Sequence, residues 1–261
     1  MSSLTIALVV GMLIALSGAA GLALQWLLPG HHTAERSRDM IGGVVGLLTL
    51  LLALVLGLLI WTAYGVFSTQ QTELQTIAAR ALEFDLEMRQ YGPEGDKARE
   101  ILRRDLVWAH EQFWGDETSR AEAYDASLKA MSDMSSYFDA LKPATPAQTR
   151  LLDAARRNYS FVGENRILMS MQAQTPVSWP LIYAVTAWSC LMSFGMGLLS
   201  RPNATTNAML VLGAASVALA IFLILEFNKP YTSSIRVSPV ALEQAIVQFD
   251  QPGAANPSAT Q

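Results

Sequence analysis

An uncharged, mostly aliphatic run at 41–67 restricts the possible folds of this chain more than any other feature. About 20 apolar residues cross a bilayer as a helix, so this run is long enough to span one. No helix breaker follows it until Gly92-Pro93, where proline restricts the preceding backbone. The sequence therefore predicts one helix over 41–91, roughly 75 Å long at about 1.5 Å per residue.

Alternating steps of four and three residues define one stripe along this predicted helix, and a repeat of seven keeps one helix face toward a partner. The stripe comprises Gly42, Gly46, Thr49, Ala53, Leu56, Ile60, Ala63 and Phe67, and then Gln70, Leu74, Ile77, Ala81, Phe84, Met88 and Tyr91. Small residues permit close helix packing in lipid, so Gly42, Gly46, Thr49 and Ala53 are predicted to form a helix-packing stripe. Two separate helices with matching registers remain an alternative.

Composition indicates a membrane protein. Hydrophobic residues make up 51% of the chain and charged residues 15%, whereas globular domains average about 25% charged residues. The net charge of −4 gives no indication of a nucleic-acid partner. The single cysteine, Cys190, excludes an intrachain disulfide and a cysteine-cluster metal site.

The predicted fold is all-α, with four transmembrane helices and an extramembrane helical bundle inserted between the second and third spans. Further apolar runs at 4–28, 180–200 and 207–227 supply the other spans, and 29–40 is predicted to be a polar loop. The expected organisation has spans 1 and 2 at 4–67, the bundle at 68–175, spans 3 and 4 at 178–227, and an amphipathic segment with a disordered tail at 228–261.

Four spans would place both termini and the bundle on the same side of the membrane. Basic residues near the span ends are almost equally divided between the two sides, so they do not determine the orientation. The N-terminal stub carries no Lys or Arg, which favours an extracytoplasmic bundle.

Three stretches resemble a bacterial membrane-protein family with a bestrophin-like domain. These stretches are Thr69-Gln70 with Glu73 and Tyr91-Gly92-Pro93-Glu94 with Arg99 and Leu102-Arg103; Ser193-Phe194-Gly195 with Pro202-Asn203-Ala204-Thr205; and 220–226 with Pro230, Ile235-Arg236, Ser238 and Pro239. The resemblance implies a multi-pass protein of the bacterial inner membrane and, through the bestrophin label, an oligomeric anion channel.

The chain departs from this family's usual pattern at several positions. Ser68 stands where the family usually has Asp, and Ser233 stands where it usually has Gly. Asn228 and Lys229 replace an acidic residue followed by Arg. An ion- or turn-binding element formed by the usual residues would therefore be lost here.

Seven residues are candidates for function: Glu226, Lys229, Pro230, Asn203, Arg99, Arg103 and Gln70. An ionisable group at a span end can line an ion path. At a spacing of three residues, Glu226 and Lys229 can instead pair as a structural clamp. Arg99 and Arg103 are expected to form salt bridges at the helix hairpin, with anion binding as the alternative.

No metal site, cofactor or enzymatic activity is predicted. His31, His32 and Glu35 could hold a weak divalent ion, but a solvated loop is the preferred interpretation. His110 is interpreted as a surface or packing residue. The predicted spans contain neither His nor Asp, and their only acid is Glu226, so they lack an acid–base pair.

Two functions therefore remain in view. The first is a homo-oligomeric ion channel or pore, whose partners are the lipid bilayer, further copies of the chain and an inorganic ion. The second is a membrane-anchored sensory or scaffold module that acts through its helical bundle.

Overall fold

The computed structural model describes residues 2–27, 35–114, 120–173, 179–229, 231 and 234–250. The described part is helical, and its helices are α1 (Ser3–Leu27), α2 (Glu35–Tyr91), α3 (Pro93–Trp114), α4 (Arg120–Ala140), α5 (Pro146–Ala173), α6 (Trp179–Leu199), α7 (Ala204–Phe227) and α8 (Val240–Phe249). The all-α prediction is confirmed.

Contacts divide the chain into two compact units. The apolar unit comprises Met1–Phe67, Pro176–Lys229 and Ser233–Ile235, and the polar unit comprises Ser68–Thr175, Pro230–Thr232 and Arg236–Gln261. Within the described residues, four helices are long and apolar enough to cross a membrane: α1, α2, α6 and α7.

The predicted long helix is present as α2, which continues without interruption from Glu35 to Tyr91. It begins six residues before the predicted start, so the expected loop at 29–40 is wrong for its last six positions. His31 and His32 lie outside the described residues.

In the apolar unit, glycines bring α1 and α6 close together. A Cβ atom added to Gly21 would clash with the backbone of Phe194, and one added to Gly197 would clash with the backbone of Gly18. Ser17 also donates a hydrogen bond from Oγ to the carbonyl of Cys190, at 2.8 Å. These small residues therefore allow the close interhelical approach that packing in lipid requires.

The first part of the apolar half of α2 buries a different face from the one predicted. Val45 and Leu52 are buried, whereas Gly46, Thr49 and Ala53 are exposed. A Cβ atom added to Gly46 would meet nothing within 4 Å. Within one chain, the predicted stripe is therefore not packed from Gly46 to Ala53, whereas its later member Ala63 is buried.

Helix periodicity accounts for this difference. A straight α-helix rotates roughly 20° away from a seven-residue repeat with each heptad. Gly46 lies four heptads before Leu74, so the accumulated rotation is roughly 80°. One residue corresponds to roughly 100°, and the buried Val45 and Leu52 precede Gly46 and Ala53 by one position.

The polar half of α2 buries the predicted stripe. Its members from Gln70 to Tyr91 are all at most 2% exposed. The Phe84 ring lies 6.2 Å from the ring of Phe138 and 6.1 Å from that of Tyr159, measured between centroids. Aromatic side chains of α2, α4 and α5 thus form the centre of the polar unit.

A glycine turn joins α2 to α3. Gly92 has a φ angle of +118°, which residues with a side chain rarely adopt. A Cβ atom added to Gly95 would clash with the Met88 carbonyl, so the two helix ends approach closely. These constraints account for glycine at positions 92 and 95.

The start of α5 is tied to the same turn. The Gln148 backbone N–H donates to Oγ1 of Thr145 at 3.1 Å, so the Thr145 side chain caps the first turn of α5. Gln148 also donates from Nε2 to the Tyr91 carbonyl at 3.0 Å, so its side chain satisfies a carbonyl at the end of α2.

Replacing Gly92 with alanine should destabilise the protein, because a Cβ atom is strained at this φ angle. The expected loss is about 1–3 kcal/mol, measured by thermal unfolding of the purified, detergent-solubilised protein. Gln90→Ala, at an exposed position two residues earlier, is the matched control and should leave the transition unchanged. Equal transitions for the two variants would contradict the turn described here.

Candidate functional site

The carboxylate of Glu226 lies at the end of α7 and is only 3% exposed. Its Oε2 accepts backbone hydrogen bonds from Ser234 at 2.6 Å and from Ile235 at 3.3 Å. A buried carboxylate without partners would be costly. Glu226 therefore holds the backbone of the segment that follows α7.

Lys229 does not pair with Glu226 through its side chain, so that part of the predicted clamp is wrong. The only hydrogen bond between the two runs from the Lys229 backbone N–H to the Glu226 carbonyl, at 3.0 Å. Asn228 instead donates from Nδ2 to the Ile224 carbonyl at 2.7 Å and so caps the end of α7. Pro230 lies outside the described residues.

Two rings of α2 pack against the end of the same helix. The Phe227 ring lies 5.6 Å from the ring of Tyr64 in an edge-on arrangement, and 5.5 Å from the ring of Phe67. Such pairs contribute beyond their buried area. This contact fixes the end of α7 against the apolar half of α2.

Asn203 caps a helix, and Gln70 is buried. Asn203 is the N-cap of α7, and its Oδ1 accepts a hydrogen bond from the Thr206 backbone N–H at 2.7 Å. Gln70 is 1% exposed inside the polar unit.

An arginine clasp, formed by Arg89, Arg99 and Arg103, holds the C-terminal end of α8. Arg89 donates from Nη2 to the Gln248 carbonyl at 2.8 Å, and Arg99 donates from Nη2 to the Phe249 carbonyl at 3.4 Å. Arg103 forms an ion pair with Asp250 at 2.6 Å. Cations are favourable at a helix C-terminus because they face the negative end of its dipole.

The buried carboxylate of Asp85 organises this clasp. Its Oδ1 lies 2.7 Å from Nε of Arg99, and its Oδ2 lies 2.6 Å from Nε of Arg89. Burial lowers the pKa of Arg99, but hydrogen bonds to Asp85 and Asp96 outweigh it, so the pKa is raised overall. Arg99 is therefore a structural cation already occupied by protein acceptors, as the salt-bridge prediction expected.

A buried polar cluster in the polar unit was missed by the sequence analysis. Arg166 is 4% exposed, and its charge faces that of Asp105 on α3. Tyr159 lies between helices, with its hydroxyl 2.9 Å from the Ala130 carbonyl and 3.3 Å from Asp105. Periodicity gave no signal for Arg166, because charged residues are expected on the solvated face.

Burial governs the protonation of this cluster. It raises the pKa of Asp105 and lowers that of Arg166, while the opposite charge of each partner acts against the shift. Burial likewise raises the pKa of Tyr159, and the charge of Asp105 adds to this effect. Tyr159 therefore stays a neutral hydrogen-bond donor at physiological pH.

The described residues include no group of three or more His, Cys, Asp or Glu side chains placed to hold a metal ion. His110 lies 3.3 Å from Glu243 through Nε2, and its ring stacks on Trp114 with centroids 5.4 Å apart. These contacts join α3 to α8, so His110 packs in the bundle.

Removing the Glu226 side chain should leave the Ser234 and Ile235 amides without their acceptor. Glu226→Ala should therefore destabilise the protein by about 1–3 kcal/mol and raise hydrogen exchange at residues 234 and 235. Glu226→Gln keeps one acceptor oxygen and should lose less stability. If both variants behave like the wild type, Glu226 does not hold this segment.

Arg99 and Arg103 should contribute differently to stability, because the Arg99 side chain is far less exposed than that of Arg103, at 15% against 41%. Arg99→Ala should cost about 1.5–3 kcal/mol and increase hydrogen exchange in α8. Arg103→Ala should cost about 1 kcal/mol or less, as exposed ion pairs do. A larger effect from Arg103→Ala would contradict the burial-based order.

The fold resembles solved structures of bacterial bestrophin homologues. One is a point mutant of a Klebsiella pneumoniae bestrophin homologue, with a TM-score of 0.67 at 13% identity, covering 93% of this chain and 98% of the other. A second mutant of a Klebsiella pneumoniae homologue gives a TM-score of 0.67 at 14% identity, covering 95% and 98%. At these identities the likeness shows the fold. No curated protein matches the chain.

The family comparison covers most of the sequence. The Bestrophin-like domain family matches residues 11–242, a range that contains α2 to α7 and most of α1. The chain therefore belongs to the family of proteins with a Bestrophin-like domain.

Proposed function

We propose that several copies of this chain assemble into an ion channel in which the apolar halves of α2 surround the ion path. The observation that carries this proposal is the unpacked face of α2. We define this exposed α2 face by Leu47, Leu50, Leu54, Leu58 and Trp61, which are 60–74% exposed in one chain.

In the assembled channel, the predicted packing stripe would form the contacts between copies of α2. Gly46 and Ala53 lie beside the exposed α2 face, and neither is covered within the chain. Helices associate in lipid where small side chains let their backbones approach. Copies of α2 would therefore pack through the stripe, and the larger side chains would face the common axis.

An ion path lined in this way would be a hydrophobic constriction. Such a constriction controls ion conduction by its water content. When water leaves a narrow apolar passage, ions cannot cross it. The exposed α2 face contains no charged residue. On this proposal, ion passage depends on hydration of this segment, and no side chain of this face selects ions by charge.

We also propose that the protein lies in a bacterial inner membrane, with both termini and the polar unit on the same side. Four spanning helices support this arrangement, and the N-terminal stub without Lys or Arg favours an extracytoplasmic polar unit.

A polar residue on the exposed α2 face should increase ion flux. Leu54→Ser would hydrate the constriction, and we expect a several-fold faster flux in liposomes containing the purified protein. Leu212→Ser is the matched control, because Leu212 is similarly exposed but lies on α7. Its flux should equal that of the wild type.

Two results would contradict the proposal. One is the absence of protein-dependent flux from both the wild type and Leu54→Ser, with the protein shown to be folded and inserted. The other is an equal increase from Leu54→Ser and Leu212→Ser, since that would indicate a general disturbance of the bilayer.

A further inference from the structure

A cleft of about 510 Å³ lies in the apolar unit between α1, α2, α6 and α7. Its floor includes Ile14, Leu52 and Ala214, all of which are buried. Its rim includes Met196 and Met209, which are 50% and 62% exposed, so the cleft opens at the surface of the unit. This volume falls within the range of roughly 300–1,000 Å³ that is typical of ligand sites.

Three of the six hydroxyl side chains that line this cleft are already hydrogen-bonded to their own helices. Thr49 donates to the Val45 carbonyl at 2.8 Å, Ser189 donates to that of Val185 at 2.7 Å, and Ser200 donates to that of Met196 at 2.7 Å. These three side chains therefore offer no free donor. A polar solute would lose hydrogen bonds with water here without regaining them.

The cleft is polar at one end. Asn203, Thr205 and Thr206 line it where α7 begins, and Arg201 in the preceding loop is exposed. Apolar side chains of α1, α2 and α7 line the deeper part. An occupant that matches both parts has a long apolar chain and a polar end, and the cation at Arg201 favours a negative charge on that end.

The position of the cleft identifies the source of such a molecule. Its walls are helices apolar enough to span a bilayer, so the surrounding medium is lipid. A second copy could reach the cleft with single side chains. An intruding helix has a diameter of about 10 Å and would need more room than 510 Å³ along several turns.

We propose that this cleft binds one acyl chain of an anionic phospholipid, whose headgroup lies at the loop between α6 and α7. Methionine side chains suit this role because their flexible thioethers adapt to a mobile chain. The bound lipid would fill space between the spans that side chains leave open. This site contains none of the five residues that define the exposed α2 face, shares only Thr49 with the predicted packing stripe, and does not rest on the proposed channel.

Photo-crosslinking tests the proposal with a defined probe, phosphatidylglycerol carrying a diazirine in its acyl chain. The probe is incorporated into liposomes containing the full-length protein, and the labelled peptides are mapped by mass spectrometry. Labelling should concentrate in 192–217 rather than at exposed residues of α1 outside the cleft, such as Leu8 and Met12. An excess of unlabelled phosphatidylglycerol should reduce it to the level of the other spans.

Gly213 provides the variant that blocks the cleft. A Cβ atom at this position meets nothing within 4 Å, so Gly213→Phe adds a ring in open space without a backbone clash. This variant should lower labelling of 192–217 at least fivefold. Ala215→Phe adds the same ring at an exposed position on α7 outside the cleft lining and should leave labelling unchanged.

If Gly213→Phe fails to fold, as judged by its elution and thermal transition, Gly213→Leu and the competition measurement replace it. Even labelling of all the spans, labelling that unlabelled lipid does not reduce, or labelling unaffected by a folded Gly213 variant would overturn the proposal. Crosslinks from the cleft to a second copy in place of lipid would also overturn it.

Discussion

The backbone of a helix satisfies its own hydrogen bonds, and α2 depends on this property along its whole length. In lipid no water is present to bind free N–H and C=O groups, so a spanning segment must be helical. Beyond Phe67 the same helix enters the polar unit, where tertiary packing takes over as the main source of stability. No glycine or proline occurs between Val66 and Tyr91 to interrupt it.

The features that could be predicted from the sequence are those set by local chemistry. Apolar length indicates the spans, the Thr145 cap indicates the start of α5, and Gly92 indicates the end of α2. The face that α2 buries in the apolar unit could not be predicted in the same way. A seven-residue repeat can be followed in the sequence of both halves of α2. An α-helix has about 3.6 residues per turn, so residues spaced by seven rotate gradually around the helix.

The hydrogen-bond and ionic partners of the candidate site residues were harder to predict from the sequence. Glu226 was expected to meet Lys229 because of their spacing, yet it binds backbone amides of a segment eight and nine residues later. This partner depends on how the chain turns after α7, and the periodicity of the sequence does not predict that turn. The burial of Arg166 could not be predicted for the same reason. A buried guanidinium is stable only beside partners such as Asp105 and Tyr159, and these are brought to Arg166 by tertiary packing.

The arginines and acids of the candidate site thus hold elements of the fold, whereas the proposed channel function depends on the exposed α2 face. The most direct measurement is disulfide crosslinking in a Cys190→Ala background. Ala53→Cys should yield disulfide-linked dimers between copies if the stripes meet, because Cα atoms must come within about 7 Å to form a disulfide. Leu52→Cys, which faces the chain's own core, should yield none. The account would be contradicted if Ala53→Cys stays monomeric under oxidation while the protein is folded in the membrane.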